Sequence, residues 1–260
     1  RPGAGMSTLL ESPAVPHARD IIDRLDDAVT ACVTLLQETA IEVETEAGGE
    51  VTWPTWVLTN SGVPERCTGG RSSLYDGDAG IAWALQKLGP ALGRDDLTTL
   101  AERAIMALAR RPALPEAGLF AGRLGVELAG LPTAESPWLR EVSADLPAAI
   151  PCSDLTSGLA GALLALTRLP DATSEDASRI VEALWQRSER QLWGRGWPDP
   201  TQSGDEARPL CGMAHGASGI AWSLAESAWR WPELADSALS LAYEALRCLL
   251  YTSPSPRDLS

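Results

Sequence analysis

The residue best suited to proton transfer in this chain is His215, one of only two histidines. Gly216 and Gly219 follow it, and the apolar residues after them have the spacing of a buried helix. This pattern predicts that His215 lies at the start of a helix, where unpaired N–H groups and the positive pole of the helix dipole favour a neutral imidazole or an anionic substrate group. An imidazole placed there is a candidate general acid or base, although a histidine that only bonds a loop carbonyl is the structural alternative.

A pair of glycines, written Gly-x-x-Gly, precedes an apolar run at this site and at three sites upstream. The first glycines of the four copies are Gly77, Gly122, Gly158 and Gly216, at intervals of 45, 36 and 58 residues. Intervals of this size are typical of helical-hairpin repeats, in which one helix of each pair lines the inside and the other packs outside. The sequence therefore predicts an all-α fold, an incomplete α/α toroid of helical hairpins whose inner helices start at the Gly-x-x-Gly motifs.

Asp154, four residues before the third glycine pair, is the second residue that could do chemistry. A carboxylate there could take part in general acid–base catalysis or could cap the amides of Ser157 and Gly158. Asp76 and Asp78 flank the first glycine of the first copy, and for these two residues capping is the expected role.

The cysteines form no Cys-x-x-Cys pair and are odd in number, which argues against a disulfide framework and favours a reducing cytoplasm. Cys211 lies four residues before His215, so the two could bind zinc or generate a thiolate. Two ligands do not close a zinc site, and we therefore expect Cys211 to be a buried structural residue. The five cysteines are Cys32, Cys67, Cys152, Cys211 and Cys248.

Composition excludes several classes of function. The net charge is −14, which argues against binding to nucleic acid or to an acidic membrane surface. No apolar run approaches the ~18 residues of a membrane-spanning helix, and the start lacks the pattern of a secretion signal. The chain also contains ten tryptophans and a single phenylalanine, and packing is the first explanation for the tryptophans.

Chain organisation is predicted to be one domain with irregular ends. We expect residues 1–16 to be disordered, residues 17–250 to form the partial toroid domain, and residues 251–260 to be a non-native-looking tail, so that the natural protein continues further. Within the domain, residues 17–46 are predicted as an amphipathic helix and residues 48–71 as a long loop with short extended pieces. Further helices are predicted from 77 to a stop at Gly89–Pro90, and over 95–111, 122–131, 135–149, 158–169, 174–193, 216–231 and 232–250.

Three of the motif copies carry a resemblance to a known family. They read LYDGDAGIA at residues 74–82, DLTSGLAG at residues 154–161 and GMAHGASGIA at residues 212–221. Over about residues 74–250 the chain resembles the lanthionine synthetase C-like family, the cyclases of lanthipeptide biosynthesis. The resemblance implies a toroid whose glycine-rich inner-helix ends surround a central site.

The resemblance also implies a chemistry. In that family a zinc ion, held by two cysteines and a histidine, activates a substrate cysteine thiolate, which adds to a dehydroalanine or dehydrobutyrine and closes a thioether ring. Asp154 and His215 match the family's residues for proton handling, without a division of steps between them. The family's zinc ligands belong to later repeats, so the zinc ligands are expected beyond the present C-terminus, and Cys211 is not given that role. The 260-residue chain alone is then expected to bind zinc poorly and not to cyclise.

The implied partners are a dehydrated precursor peptide and a dehydratase. Two other functions stay open at this point. One is a non-catalytic peptide-binding scaffold of the same architecture. The other is an α/α-barrel glycosidase, which would work with paired carboxylates.

Overall fold

The computed structural model describes residues 18–44, 49–59, 61–67, 70–130, 146–200 and 208–252. These ranges are mainly helical, which confirms the predicted all-α class, and their short strands form three antiparallel pairs. The helices are α1 Ala18–Thr39, α2 Asp78–Leu92, α3 Asp95–Arg110, α4 Arg123–Gly130, α5 Leu146–Ala149, α6 Leu159–Leu166, α7 Ser174–Arg187, α8 Ala217–Arg230 and α9 Ala235–Thr252. The strands are β1 Ile41–Val43, β2 Glu50–Thr52, β3 Thr55–Leu58, β4 Pro64–Cys67, β5 Glu189–Arg190 and β6 Arg195–Gly196.

The first helix is shorter than predicted. It belongs to a compact unit that extends to Ala40, and a second unit starts at Ile41. The prediction of helix as far as residue 46 is wrong, because residues 41–43 pair as β1 with β2, with Ile41 opposite Thr52. The loop predicted over 48–71 contains β2 and a hairpin of β3 and β4, so its extended pieces are confirmed where the structure describes them.

The four helices that follow the Gly-x-x-Gly motifs begin directly after the first glycine of their motif, as predicted. They are α2, α4, α6 and α8. The predicted stop of α2 at Gly89–Pro90 is wrong, because the helix continues through Pro90 to Leu92. Gly93 ends it instead, in the left-handed conformation with φ 65°, and its N–H bonds the carbonyls of Gly89 and Pro90.

The outer helices were predicted less accurately at their ends. Thr173 and Asp176 form a capping box that begins α7, but the helix ends at Arg187 because β5 and β6 pair over the residues predicted to extend it. Only α5 falls within the described part of the helix predicted over 135–149, and residues 131–145 lie outside the described ranges. α9 follows a short 3₁₀ turn and extends two residues into the predicted tail, while residues 253–260 and residues 1–17 lie outside the description.

Backbone hydrogen bonds join successive motifs. The Tyr75 N–H donates to the Phe120 carbonyl at 2.9 Å, and the Phe120 N–H donates to the Thr156 carbonyl at 2.9 Å. The Thr156 N–H in turn donates to the Ala214 carbonyl at 3.2 Å. Each of these residues lies two positions before the first glycine of its motif, so the four motifs are linked in sequence order.

The second glycine of a motif allows close packing on the motif before it. A Cβ added at Gly161 would lie 2.9 Å from the Leu119 Cβ, and one added at Gly219 would lie 2.9 Å from the Leu155 Cβ. Distances this short leave no room for a side chain at either position. The Gly-x-x-Gly pattern therefore sets how closely adjacent repeats approach.

The core is centred on α6, in which every residue is buried, and on the apolar faces of α7, α8 and α9. Packing explains only part of the tryptophan content, because six of the nine described tryptophans are exposed, among them Trp229 at 80%. Trp197, in contrast, is buried, and its Nε1–H donates to the Leu184 carbonyl at 2.7 Å. Among the described helices, no segment has the length and apolar character that spanning a membrane requires.

Candidate functional site

The two residues singled out for chemistry, Asp154 and His215, are in contact. Asp154 Oδ2 lies 2.8 Å from His215 Nδ1, although the residues are 61 positions apart in the chain. The other carboxylate oxygen, Oδ1, accepts the Ser157 N–H at 2.8 Å. The capping and functional interpretations of Asp154 are therefore compatible, because each oxygen serves one of them.

Backbone contacts between the third and fourth motifs bring the pair together. The N–H groups of Leu155 and Thr156 both donate to the Ala214 carbonyl at 3.2 Å. The Thr156 hydroxyl donates to the same carbonyl at 3.1 Å. Since Leu155 follows Asp154 and Ala214 precedes His215, these bonds fix the spacing of the two side chains.

The contact determines which ring nitrogen of His215 carries the proton. An ionised carboxylate only accepts hydrogen bonds, so Nδ1 is the donor, and the neutral ring presents the lone pair of Nε2. The His215 side chain is 57% exposed and that of Asp154 is 19% exposed. The imidazole can therefore be reached from solvent while its carboxylate partner is largely covered.

A cleft lies beside this pair. A Trp-Pro-Asp-Pro segment, residues 197–200, forms part of its lining, and Trp197 in this segment is buried. The lining residues are Cys152, Ser153, Asp154, Trp197, Pro198, Asp199, Pro200, His215 and Ile220.

Cys152 is a cleft residue that the sequence analysis did not single out. Burial, first of all, and then the charges of Asp154 and Asp199 raise the pKa of its thiol, while Arg187 acts weakly in the opposite direction. The thiol is therefore protonated near neutral pH and is unsuited to act as a thiolate nucleophile. Its position two residues before Asp154 was the only sequence signal that could have identified it.

Arg187, in the last turn of α7, anchors the segment that leads to Asp154. Its Nη1 donates to the carbonyls of Ile150 at 2.7 Å, Pro151 at 3.1 Å and Cys152 at 3.2 Å. Its Nη2 donates to the carbonyl of Pro147. One guanidinium thus satisfies four carbonyls of an irregular segment, a function that the sequence pattern did not reveal.

Asp76 and Asp78 lie in the first motif, and their contacts are structural. Asp78 is 1% exposed and accepts bonds from the Thr52 hydroxyl at 2.6 Å, the Trp53 N–H at 3.0 Å and Arg111 at 2.6 Å. It therefore joins α2 to the strands before it, and the expectation that it caps its own helix is wrong. Asp76 pairs with Arg71 at 3.0 Å.

Cys211 belongs to a different local arrangement from the one considered for it. It is partly exposed, and it is one of the neighbours that raise the pKa of the Cys248 thiol on α9. The expectation that Cys211 is fully buried is therefore wrong. Over the residues that the structure describes, no three His, Cys, Asp or Glu side chains are grouped so that they could hold a metal ion.

Comparison with known proteins places this geometry in a family. No curated protein matches the chain. A family model described as lanthionine synthetase C-like protein matches residues 70–250, which include all four motifs and both members of the Asp154–His215 pair. The match covers well over half of the chain, and this protein therefore belongs to the lanthionine synthetase C-like family.

Proposed function

We propose that this protein is a lanthionine synthetase-like cyclase that adds a cysteine thiol of a dehydrated peptide to a dehydroalanine or dehydrobutyrine. The observation that supports the proposal is the 2.8 Å contact between Asp154 and His215 inside the region that matches the family. The two residues lie on the third and fourth of four linked motifs, next to a cleft with a Trp-Pro-Asp-Pro wall. The toroid expected from the repeats would place this cleft at a central opening.

The reaction requires one proton to be moved. The thiol loses its proton, a C–S bond forms at Cβ of the dehydro residue, and the C=C electron pair becomes an enolate that takes up a proton at Cα. Neutral His215 can accept the proton through Nε2, and the imidazolium can return it to Cα. Asp154 orients the ring and stabilises the imidazolium while the charge is present.

Zinc is the cofactor that the family implies. The described side chains do not fit it, because none of their groupings offers three ligands. We therefore assign zinc no residue and no step in this chain.

The substrate must arrive already dehydrated, so the partner class is a dehydratase that converts Ser or Thr into the dehydro residue. All five cysteines are thiols, which is consistent with a reducing cytoplasm.

The test is ring closure of a synthetic peptide that carries one cysteine and one dehydroalanine, catalysed by the purified protein. Ring closure consumes the free thiol of the peptide without changing the peptide mass. It is therefore measured as the loss of reaction with an alkylating reagent, while mass spectrometry shows an unchanged peptide mass. We expect His215→Gln to lower kcat by about 100-fold or more, the range for loss of a general acid–base group. His17→Gln, which removes the other histidine, is the control and should leave the rate unchanged. An unaltered rate in His215→Gln would refute the proposal, and peptide binding without acceleration by the wild type would identify a scaffold instead.

A further inference from the structure

A pair of thiols lies at the far side of the loop that carries His215. Cys211 precedes α8, Cys248 lies near the end of α9, and Cys211 is close enough to the Cys248 thiol to raise its pKa. Cys248 is 4% exposed, whereas Cys211 is partly exposed. One thiol can thus be reached from solvent and the other is covered beside it.

Both cysteines are held in place by the surrounding backbone. The Cys211 carbonyl accepts the hydroxyl of Ser218 at 2.7 Å and its N–H at 3.4 Å, which fixes the residue against the first turn of α8. The 3₁₀ turn Pro232–Leu234 reverses the chain after α8, so α9 packs back along that helix. Cys248 lies as far after this turn as Ser218 lies before it, and Ser218 is the residue bonded to the Cys211 carbonyl. The packing of the two helices therefore brings the two cysteines to the same level.

We propose that Cys211 and Cys248 form a redox-active dithiol, which closes to an intramolecular disulfide by exchange with a small disulfide such as glutathione disulfide. The Cys211 thiolate attacks one sulfur of glutathione disulfide, which forms a mixed disulfide and releases one glutathione. Cys248 then loses its proton to solvent base and attacks the Cys211 sulfur, which releases the second glutathione. Two protein thiols are oxidised and one small disulfide is reduced, so electrons balance.

The second step should be the slower one at neutral pH. Burial, first of all, and the neighbouring Cys211 raise the pKa of the Cys248 thiol. Because the thiolate is the attacking species, the step from mixed disulfide to bridge accelerates as pH rises toward that raised pKa.

The bridge would act on the candidate site through the chain. Cys211 lies four residues before His215 in the same loop. A bond to α9 limits the opening of this loop, and cross-linking also restricts the unfolded chain. Oxidation should therefore raise the melting temperature of the folded protein.

The experiment treats the 260-residue chain with excess glutathione disulfide near pH 8, blocks remaining thiols with N-ethylmaleimide and maps the peptides by mass spectrometry. We expect two of the five thiols to become unreactive, a Cys211–Cys248 cross-linked peptide, and reversal by dithiothreitol. Cys248→Ser should stop at the glutathione adduct on Cys211, and Cys152→Ser should still form the bridge. Circular dichroism of each variant confirms that it is folded.

Full labelling of Cys211 and Cys248 after this treatment would overturn the proposal. A cross-link that joins either residue to Cys32, Cys67 or Cys152 in preference to the other would overturn it as well. The measurement does not involve peptide cyclisation, so its outcome is independent of the proposed cyclase function.

Discussion

At the scale of single residues, the two oxygens of Asp154 have different tasks. Oδ1 accepts the Ser157 N–H and fixes the turn before α6, while Oδ2 fixes the imidazole of His215. This arrangement resembles the way a buried carboxylate holds a catalytic histidine in one tautomer in other enzymes. Replacing the carboxylate should therefore change which ring nitrogen of His215 carries the proton, while the fold stays the same.

Nitrogen-15 NMR detects directly which ring nitrogen of a histidine carries the proton. In the wild type at alkaline pH, where imidazoles are neutral, we expect His215 to carry its proton on Nδ1 because Asp154 accepts it. In Asp154→Asn we expect the proton to be found mainly on Nε2, as in free histidine. His17 is the other histidine, and its signal should be the same in the two proteins. A His215 signal identical in the two proteins would show that the contact does not select the tautomer.

The thiol of Cys152 provides a second test at this scale. Because burial and the nearby carboxylates raise its pKa, the thiolate forms at higher pH in the folded chain than in the unfolded chain. Iodoacetamide should therefore alkylate Cys152 more slowly in the folded protein than in urea at pH 8, and the rate should increase with pH. Asp199→Asn removes one of the charges and should accelerate the reaction. Equal rates in folded and unfolded chains would contradict the assigned environment.

At the scale of secondary-structure elements, glycine sets the distance between repeats. A Cβ at Gly219 would lie 2.0 Å from the Met213 carbonyl oxygen and 2.9 Å from the Leu155 Cβ. We expect Gly219→Ala to destabilise the protein by about 1–3 kcal/mol, the usual cost of overpacking. Gly212, in the same loop, has nothing within 4 Å of an added Cβ, so Gly212→Ala is the matched control. Thermal melts distinguish the two, and equal melting temperatures would disprove the packing argument.

The contacts of Arg187 make a further prediction for α7. Replacing it with methionine removes the donor to four carbonyls, and hydrogen bonds to a charged donor contribute about 1.5–3 kcal/mol each at most in mutational series. We expect Arg187→Met to lower the urea midpoint clearly and to slow ring closure, because the segment before Asp154 loses its anchor. Arg190→Met, a few residues further along and exposed, should behave like the wild type. An unchanged midpoint in Arg187→Met would contradict the anchoring function.

Local sequence patterns predicted the starts of elements better than their ends. The Gly-x-x-Gly motifs located the start of every inner helix, since the glycines are needed where each motif packs on its predecessor. The stop of α2 at Pro90 was wrong because Gly93 provides the left-handed C-cap. The hairpin after α7 was missed because two-residue strands carry no periodic signal, and the anchoring by Arg187 depends on tertiary contacts that spacing alone does not encode.

At the scale of the whole molecule, Asp154 and His215 were singled out separately, and their shared assignment to proton handling came from the resemblance to the family. The structure confirms that their repeats are adjacent, with backbone hydrogen bonds between the third and fourth motifs. The wall at residues 197–200 could not be predicted, because it is positioned by the burial of Trp197 against α7. The sequence thus singled out the two residues, and the fold brings them into contact beside the cleft.

Zinc content is a prediction for the whole chain. Because the described side chains offer no group of three ligands, we expect the 260-residue chain to retain little zinc after dialysis. Elemental analysis of the dialysed protein measures this. One tightly bound zinc per chain would contradict the expectation.

The most direct test of the central claim, that Asp154 and His215 act as one unit in proton transfer, is a double-mutant cycle on ring closure. The rates of the wild type, Asp154→Asn, His215→Gln and the double variant are compared with the same dehydroalanine peptide. Residues that act as a unit show strongly non-additive effects, so we predict that the double variant is hardly slower than His215→Gln alone. If the two losses multiply in the double variant, the residues act independently and the account of the site is wrong.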